Sequence, residues 1–325
     1  MKRQHILITT IILISVFLSS CATISIPRYH SVEVTDAGIS FYILNDKIDT
    51  EKPYPVIIIV AGSEVYSKVG YKKGLFSTSF AGSIALKHFG YYDFNYLTIA
   101  LEKRNIPEGY FSTVAPENFH KTNTLEQRVK DTETAINYIL KHYNLDKHRV
   151  ILVAGSEGGS VAAIVARNNT SITHLIIQSA GGWSHEDQIK YSIKHSTLDQ
   201  RSKYLKELQS LDSFNRFLLE LQSNPDSLDK WWYGWPYKRW ASYMFYRPIN
   251  DLRMLDIPIL IQIGDKNDYA GLKGAIDVKK EFNKLEKSNL SLKIYNGLDH
   301  GFKDEIGVSH AKKIFEDFYQ WLEEN

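Results

Sequence analysis

The sequence predicts an α/β protein: a doubly wound, mostly parallel sheet with a helical cap inserted late in the chain. Three observations carry that prediction. Short runs such as 56–60 (Val-Ile-Ile-Ile-Val) and 150–153 (Val-Ile-Leu-Val) are apolar throughout, as in strands covered on both faces. Segments with helical spacing alternate with these runs, the pattern of parallel strands joined by crossovers. Over about 183–255 the strand signals stop, while Leu205-Leu208-Leu211 and Phe214-Phe217-Leu218-Leu221 keep helical spacing.

The elements follow in order. Residues 39–44 alternate loosely and form an early strand, followed by strands at 56–60 and 96–101. A helix spans 124–143, with Leu125, Val129, Ile136, Ile139 and Leu140 on one face; Thr124 is its N-cap and Gln127 stands three residues on. A strand at 150–153, a helix of small residues from Gly158 and a strand at 174–178 come next. After the insertion the sequence predicts a strand at 259–263, a helix at 271–287, a strand at 290–295 and an amphipathic helix at 309–322. The insertion ends in Trp231-Trp232-Tyr233-Gly234-Trp235-Pro236-Tyr237 and continues through Trp240, Tyr243, Phe245 and Tyr246. These rings either pack the cap onto the core or wall a substrate pocket.

Composition narrows the function classes. A chain of 325 residues can bury a large core. Its formal charge of +2, with no long basic run, argues against a nucleic-acid partner. At 43% hydrophobic and 23% charged residues, it is an ordinary globular chain. Neither His-Glu-x-x-His nor another tight ligand cluster appears, so the sequence predicts no metal and no cofactor.

The N-terminus predicts export. Met1-Lys2-Arg3 precedes an apolar stretch of about 13 residues, short of the ~20 that a spanning helix needs. Leu18-Ser19-Ser20-Cys21 then resembles the lipobox of bacterial lipoproteins. That resemblance implies a signal peptide over 1–20, a diacylglyceryl group on the Cys21 thiol and a tether over 21–35 ahead of one domain at 36–325. Cys21 is the chain's single cysteine, so it has no internal disulfide partner. Several acyl chains, at ~0.8 kcal/mol per buried methylene, would hold the protein on a membrane. Ala22 after the cysteine resembles lipoproteins of the outer membrane, on its periplasmic face, if the cell is Gram-negative.

The strongest chemical signal is Val153-Ala154-Gly155-Ser156-Glu157-Gly158-Gly159. A serine in a tight strand-to-helix turn needs nearly side-chain-free neighbours two residues away, and Ala154 and Gly158 occupy those places. The required lysine of a phosphate-binding loop is absent. With this elbow and the alternating elements, the chain resembles the α/β-hydrolase superfamily, near its dienelactone-hydrolase and prolyl-oligopeptidase-like members. The resemblance implies a triad in the chain order Ser, acid, His. Asn296-Gly297-Leu298-Asp299-His300-Gly301-Phe302 resembles the family's histidine setting and assigns the base to His300. The family's acid position falls on Asn267; a loop one residue longer supplies Asp268, with Asp265 second. Asp299 adjoins His300 too closely to reach its ring. The two oxyanion donors fall on the backbone of Glu157 and Ser63, with Glu64 in reserve for the second. Arg128 and Asp131 match positions that the family uses for structural ion pairing.

These assignments imply a membrane-anchored serine hydrolase of esters, thioesters or peptides, acting on a small-molecule or peptide substrate through an acyl-enzyme. The contrasting expectation is a non-catalytic lipoprotein that uses the same fold to bind a ligand or partner.

Overall fold

The computed structural model describes residues 30–44, 52–65, 67, 96–110, 112, 114–116, 118–195, 210–266 and 269–325. Cys21, the residues 1–20 expected to form a signal peptide, and Asp268 lie outside the described residues.

Among the described residues the chain forms ten strands. They are β1 (His30–Val34), β2 (Ile39–Ile43), β3 (Tyr54–Val60), β4 (Leu97–Leu101), β5 (Leu145–Gly155), β6 (His174–Gln178), β7 (Trp231–Trp232), β8 (Trp235–Pro236), β9 (Ile259–Gly264) and β10 (Leu290–Tyr295). The helices are α1 (Phe119–Thr122), α2 (Leu125–His142), α3 (Gly158–Asn168), α4 (His185–His195), α5 (Leu211–Ser223), α6 (Tyr237–Met244), α7 (Ile249–Leu252), α8 (Tyr269–Lys284) and α9 (Ala311–Glu324).

Eight strands make one sheet in the order β1-β2-β4-β3-β5-β6-β9-β10. The β1–β2 and β2–β4 pairs are antiparallel, and all other pairs are parallel. The predicted α/β class and parallel sheet hold. The reason is visible in β3, where alternate residues enter different cores. Val56, Ile58 and Val60 pack with Ile136, Ile139, Val161, Val165, Val278 and Phe282. Ile57 and Ile59 face the other way, onto Phe315, Phe318, Trp321 and Leu322 of α9. A strand buried on both sides must be apolar at every position.

Helix α2 begins as its sequence requires: the Thr124 side chain accepts a hydrogen bond from the Gln127 N–H, satisfying one otherwise open helix donor. The main departure is at the N-terminal side. His30–Val34, read from the sequence as part of the 21–35 tether, pairs with β2 as the edge strand β1. Its register, Val32 opposite Phe41 and Val34 opposite Ile39, puts two valines against the partly covered flank of the core.

Between β6 and β9 the chain leaves the sheet for α4, α5, the two-residue hairpin β7–β8 and α6. These pieces share their own apolar core of Ile189, Ile193, Phe214, Phe217, Leu218, Leu221, Trp232, Tyr237, Trp240 and Met244. Among the described residues, no helix is long and apolar enough to cross a membrane.

Candidate active site

In a parallel sheet the strand ends on one edge gather loops, and here β3, β5, β6, β9 and β10 lie side by side. Ser156 follows β5 directly. Its φ is +52°, a left-handed conformation that costs a residue with a Cβ on the order of 1–3 kcal/mol. The surroundings hold it there: the Ser156 N–H donates to the Gln178 carbonyl at 2.8 Å, and α3 starts two residues later. A Cβ on Gly158 would lie 2.6 Å from the carbonyl oxygens of both Val60 and Ala61. The glycine therefore lets α3 sit against the end of β3, as the spacing around the elbow requires.

His300 arrives from the loop after β10. Its Nε2 is 3.0 Å from the Ser156 Oγ, a hydrogen-bond distance. That loop is fixed at several points. Asp299 Oδ1 accepts from the N–H groups of Gly301 and Lys303 at 2.8 and 2.9 Å. Phe302, φ +55° and fully buried, anchors the turn among Tyr295, Leu298 and Ile314. Ser179 donates its hydroxyl to the His300 carbonyl at 2.7 Å, tying the loop to the end of β6. Gly264 is crowded in turn: a Cβ there would come 2.2 Å from the Leu298 carbonyl.

Of the acids, Asp265 Oδ1 accepts from the Gly297 N–H at 2.7 Å and so links the loops after β9 and β10. Asp299 is engaged with backbone amides as above. Asp268, the expected acid, is outside the described residues.

Ser63 and Glu157 both border one cavity with Ser156 and His300. Among the described residues, neither backbone N–H has a protein acceptor. Glu157 lies at the N-terminal end of α3, where unpaired amides and the helix dipole favour negative charge. The cavity measures about 230 Å³ and is walled by Trp183, Tyr233, Trp235 and Trp240, with His185 and Arg239 among them. The aromatic run thus serves both expectations, since Trp232 and Trp240 also belong to the cap's own core.

The Glu157 side chain is buried and accepts from Arg128 Nη1 at 2.9 Å and from Arg239 Nη2. Burial alone would raise its pKa. The charges of Arg239 and Arg128 outweigh that and hold it below the ordinary glutamate value. Arg128 and Asp131 do form ion pairs, though with different partners: Arg128 with Glu157, and Asp131 with Arg104 at 2.6 Å. His185 stacks on Tyr243, and burial together with the Arg239 charge pushes its pKa down to about 4. Sequence reasoning missed Arg239, His185 and Ser179. Only position marked them, as they are isolated residues with no local motif. Among the described residues, no cluster of His, Cys, Asp and Glu could hold a metal ion.

This sheet order, with an elbow serine after β5 and a histidine loop after β10, is the α/β-hydrolase fold. Solved structures agree. An acylaminoacyl peptidase from Pyrococcus horikoshii aligns with a TM-score of 0.57 at 14% identity, over 92% of this chain and 41% of its own. A lipase-esterase related protein from Clostridium acetobutylicum gives 0.50 at 16%, over 90% of this chain and 98% of its own. The α/β hydrolase GrgF from Penicillium sp. gives 0.53 at 12%, over 91% and 98%. The chain thus spans less than half of the peptidase and nearly all of the other two. No family model matches the sequence, and no curated protein matches it.

Proposed function

We propose that this protein is a serine hydrolase that cleaves an ester, with peptides and thioesters as the related substrate classes. The observation that carries the reading is the 3.0 Å approach of His300 Nε2 to Ser156 Oγ on a left-handed elbow. The Ser63 and Glu157 amides, which have no acceptor among the described residues and border the same cavity, support the same reading. Ser156 Oγ adds to the substrate carbonyl while its proton passes to His300 Nε2. The carbonyl oxygen becomes an oxyanion received by the N–H groups of Ser63 and Glu157; one such donor is typically worth ~10²–10³ in rate. Collapse expels the alcohol, protonated by His300, and leaves an acyl-enzyme on Ser156. Water, deprotonated by His300, then releases the acid and restores the serine. Asp268 is the proposed acid that orients and charges the imidazole.

At about 230 Å³, the cavity is smaller than the roughly 300–1,000 Å³ of drug-sized ligand sites. Its ring-lined wall favours a compact acyl group with an apolar or aromatic part. Nitrophenyl esters of acetate and phenylacetate test the activity. Turnover should be lost by on the order of 10⁶ in Ser156→Ala. Turnover equal in wild type and Ser156→Ala would refute the assignment and leave a ligand-binding protein as the reading. The lipid anchor on Cys21 is proposed from the sequence alone. Palmitate incorporation in cells should vanish in Cys21→Ala, and incorporation that persists would overturn it.

A further inference from the structure

Glu157 borders the cavity, while its side chain, 4% exposed, is gripped from two sides. Arg128 comes from α2 and Arg239 from the cap helix α6. Arg128 also donates Nη2 to the carbonyl of Ala61, two residues before Ser63. One ion network therefore touches both segments that carry the proposed oxyanion donors, and through Arg239 it reaches into the cap.

Arg239 looks costly as a stabilising residue. It is 2% exposed, and its Nε and Nη1 are buried without a hydrogen-bond partner among the described residues. Its guanidinium is instead packed against the rings of Trp235, Trp240 and Tyr243, with centroids at 4.2, 4.8 and 5.4 Å. Arg128 alone would neutralise Glu157. Lys103 and Glu64 add one nearby charge of each sign, with the Lys103 Nζ donating to the Glu64 carbonyl. A second buried guanidinium, with two of its nitrogens unsatisfied among the described residues, is a costly arrangement unless it serves position rather than stability.

We propose that Arg239 is a positioning residue that lets the cap set the geometry of the oxyanion hole through the Glu157 carboxylate. The inference rests on the hydrolase reading above. Trp235 and Trp240, which hold the guanidinium, also line the cavity, so an acyl group that fills the cavity presses on the same rings. Filling the cavity therefore raises kcat more than it lowers KM.

The test uses the full chain with Arg239→Met, Arg239→Lys, Glu157→Gln and the Arg239→Met/Glu157→Gln double variant. The readouts are kcat and KM on nitrophenyl acetate and phenylacetate, and backbone amide exchange in peptides covering 61–64 and 154–159. Displacements near 1 Å cost on the order of 10²-fold in rate. Arg239→Met should thus lower kcat by about 10–100-fold with KM within about twofold, and should abolish the kcat advantage of phenylacetate. Exchange at 154–159 should quicken. Arg239→Lys, which keeps a charge, should recover part of the loss and serves as the test if the methionine variant does not fold. The double variant should be no worse than Glu157→Gln alone. A loss expressed in KM alone, additive single and double effects, or unchanged kcat and exchange would overturn the proposal. If wild type neither turns over esters nor forms a Ser156 adduct, the hydrolase reading fails and this inference falls with it; quickened exchange in Arg239→Met would then show only that Arg239 orders the 154–159 turn.

Discussion

Replacing Gly158 by alanine puts a methyl group where the fold has no room. The new Cβ would sit 2.6 Å from two carbonyl oxygens, those of Val60 and Ala61, and both belong to backbone that cannot rotate away. Restoring an ordinary contact of 3.4 Å requires α3 and the end of β3 to part by about 0.8 Å, the difference of the two distances. Overpacking of this kind costs roughly 1–3 kcal/mol, and the better helix propensity of alanine returns up to about 1. The net loss is therefore at most about 3 kcal/mol, read as a lower urea midpoint at unchanged slope. Activity should suffer more. Gly158 follows Glu157, and Ala61 lies two residues before Ser63, so the same movement spreads the two proposed oxyanion donors. A displacement near 1 Å predicts a loss of about 10² in kcat, well beyond what the lost stability explains. Gly158→Ala with a wild-type midpoint and wild-type kcat would refute this account of the elbow.

Other perturbations probe separate parts of the account. His185 has a folded pKa of about 4 against an ordinary 6.5, so the unfolded chain binds its proton first. Its contribution is full above pH 6.5 and is lost as pH falls toward about 4, by up to about 3 kcal/mol. His185→Phe should flatten that slope in urea midpoints taken from pH 7.5 to 4.5, and an unchanged slope would refute the assignment. Asp268→Asn should lower kcat by on the order of 10⁴, whereas Asp265→Asn and Asp299→Asn should act mainly through the loops they cap. The reverse ranking in steady-state kinetics would move the acid elsewhere. Phe318, fully buried between sheet and α9, should cost about 3–5 kcal/mol as Phe318→Ala in the same unfolding assay. A change under 1 kcal/mol would mean that α9 is not a true layer of the core.

Much of this architecture is written locally in the chain. Strands β3, β6 and β9 are legible because burial on both faces demands largely apolar runs. Thr124 is legible because a cap satisfies donors within its own helix. Ser156 stands out because the turn that exposes it dictates its small neighbours, and His300 because its loop has a recognisable setting. What escaped the sequence is set by distant partners. Strand β1 is an exposed edge whose alternation, Ser31-Val32-Glu33-Val34, is too short to separate from a tether. The start of β5, Leu145-Asp146-Lys147-His148-Arg149, is polar because it reaches past the core, where an irregularity in the register against β3 leaves only Tyr54 opposite Leu145. Arg239 lies 82 residues from Glu157, and nothing local to either residue signals the pair. Arg128 and Asp131 were legible as ion-pairing groups, but their partners, Glu157 and Arg104, emerge only when the helix packs on the sheet.

The central claim is that Ser156 is an activated nucleophile, and covalent labelling tests it most directly. Protein lacking residues 1–21 is treated with a fluorophosphonate and its peptides are weighed, alongside Ser156→Ala and His300→Ala. The account predicts one adduct on the peptide carrying Ser156, absent in Ser156→Ala and strongly slowed in His300→Ala. A folded wild-type protein that stays unlabelled, or an adduct that forms equally in Ser156→Ala, would contradict it.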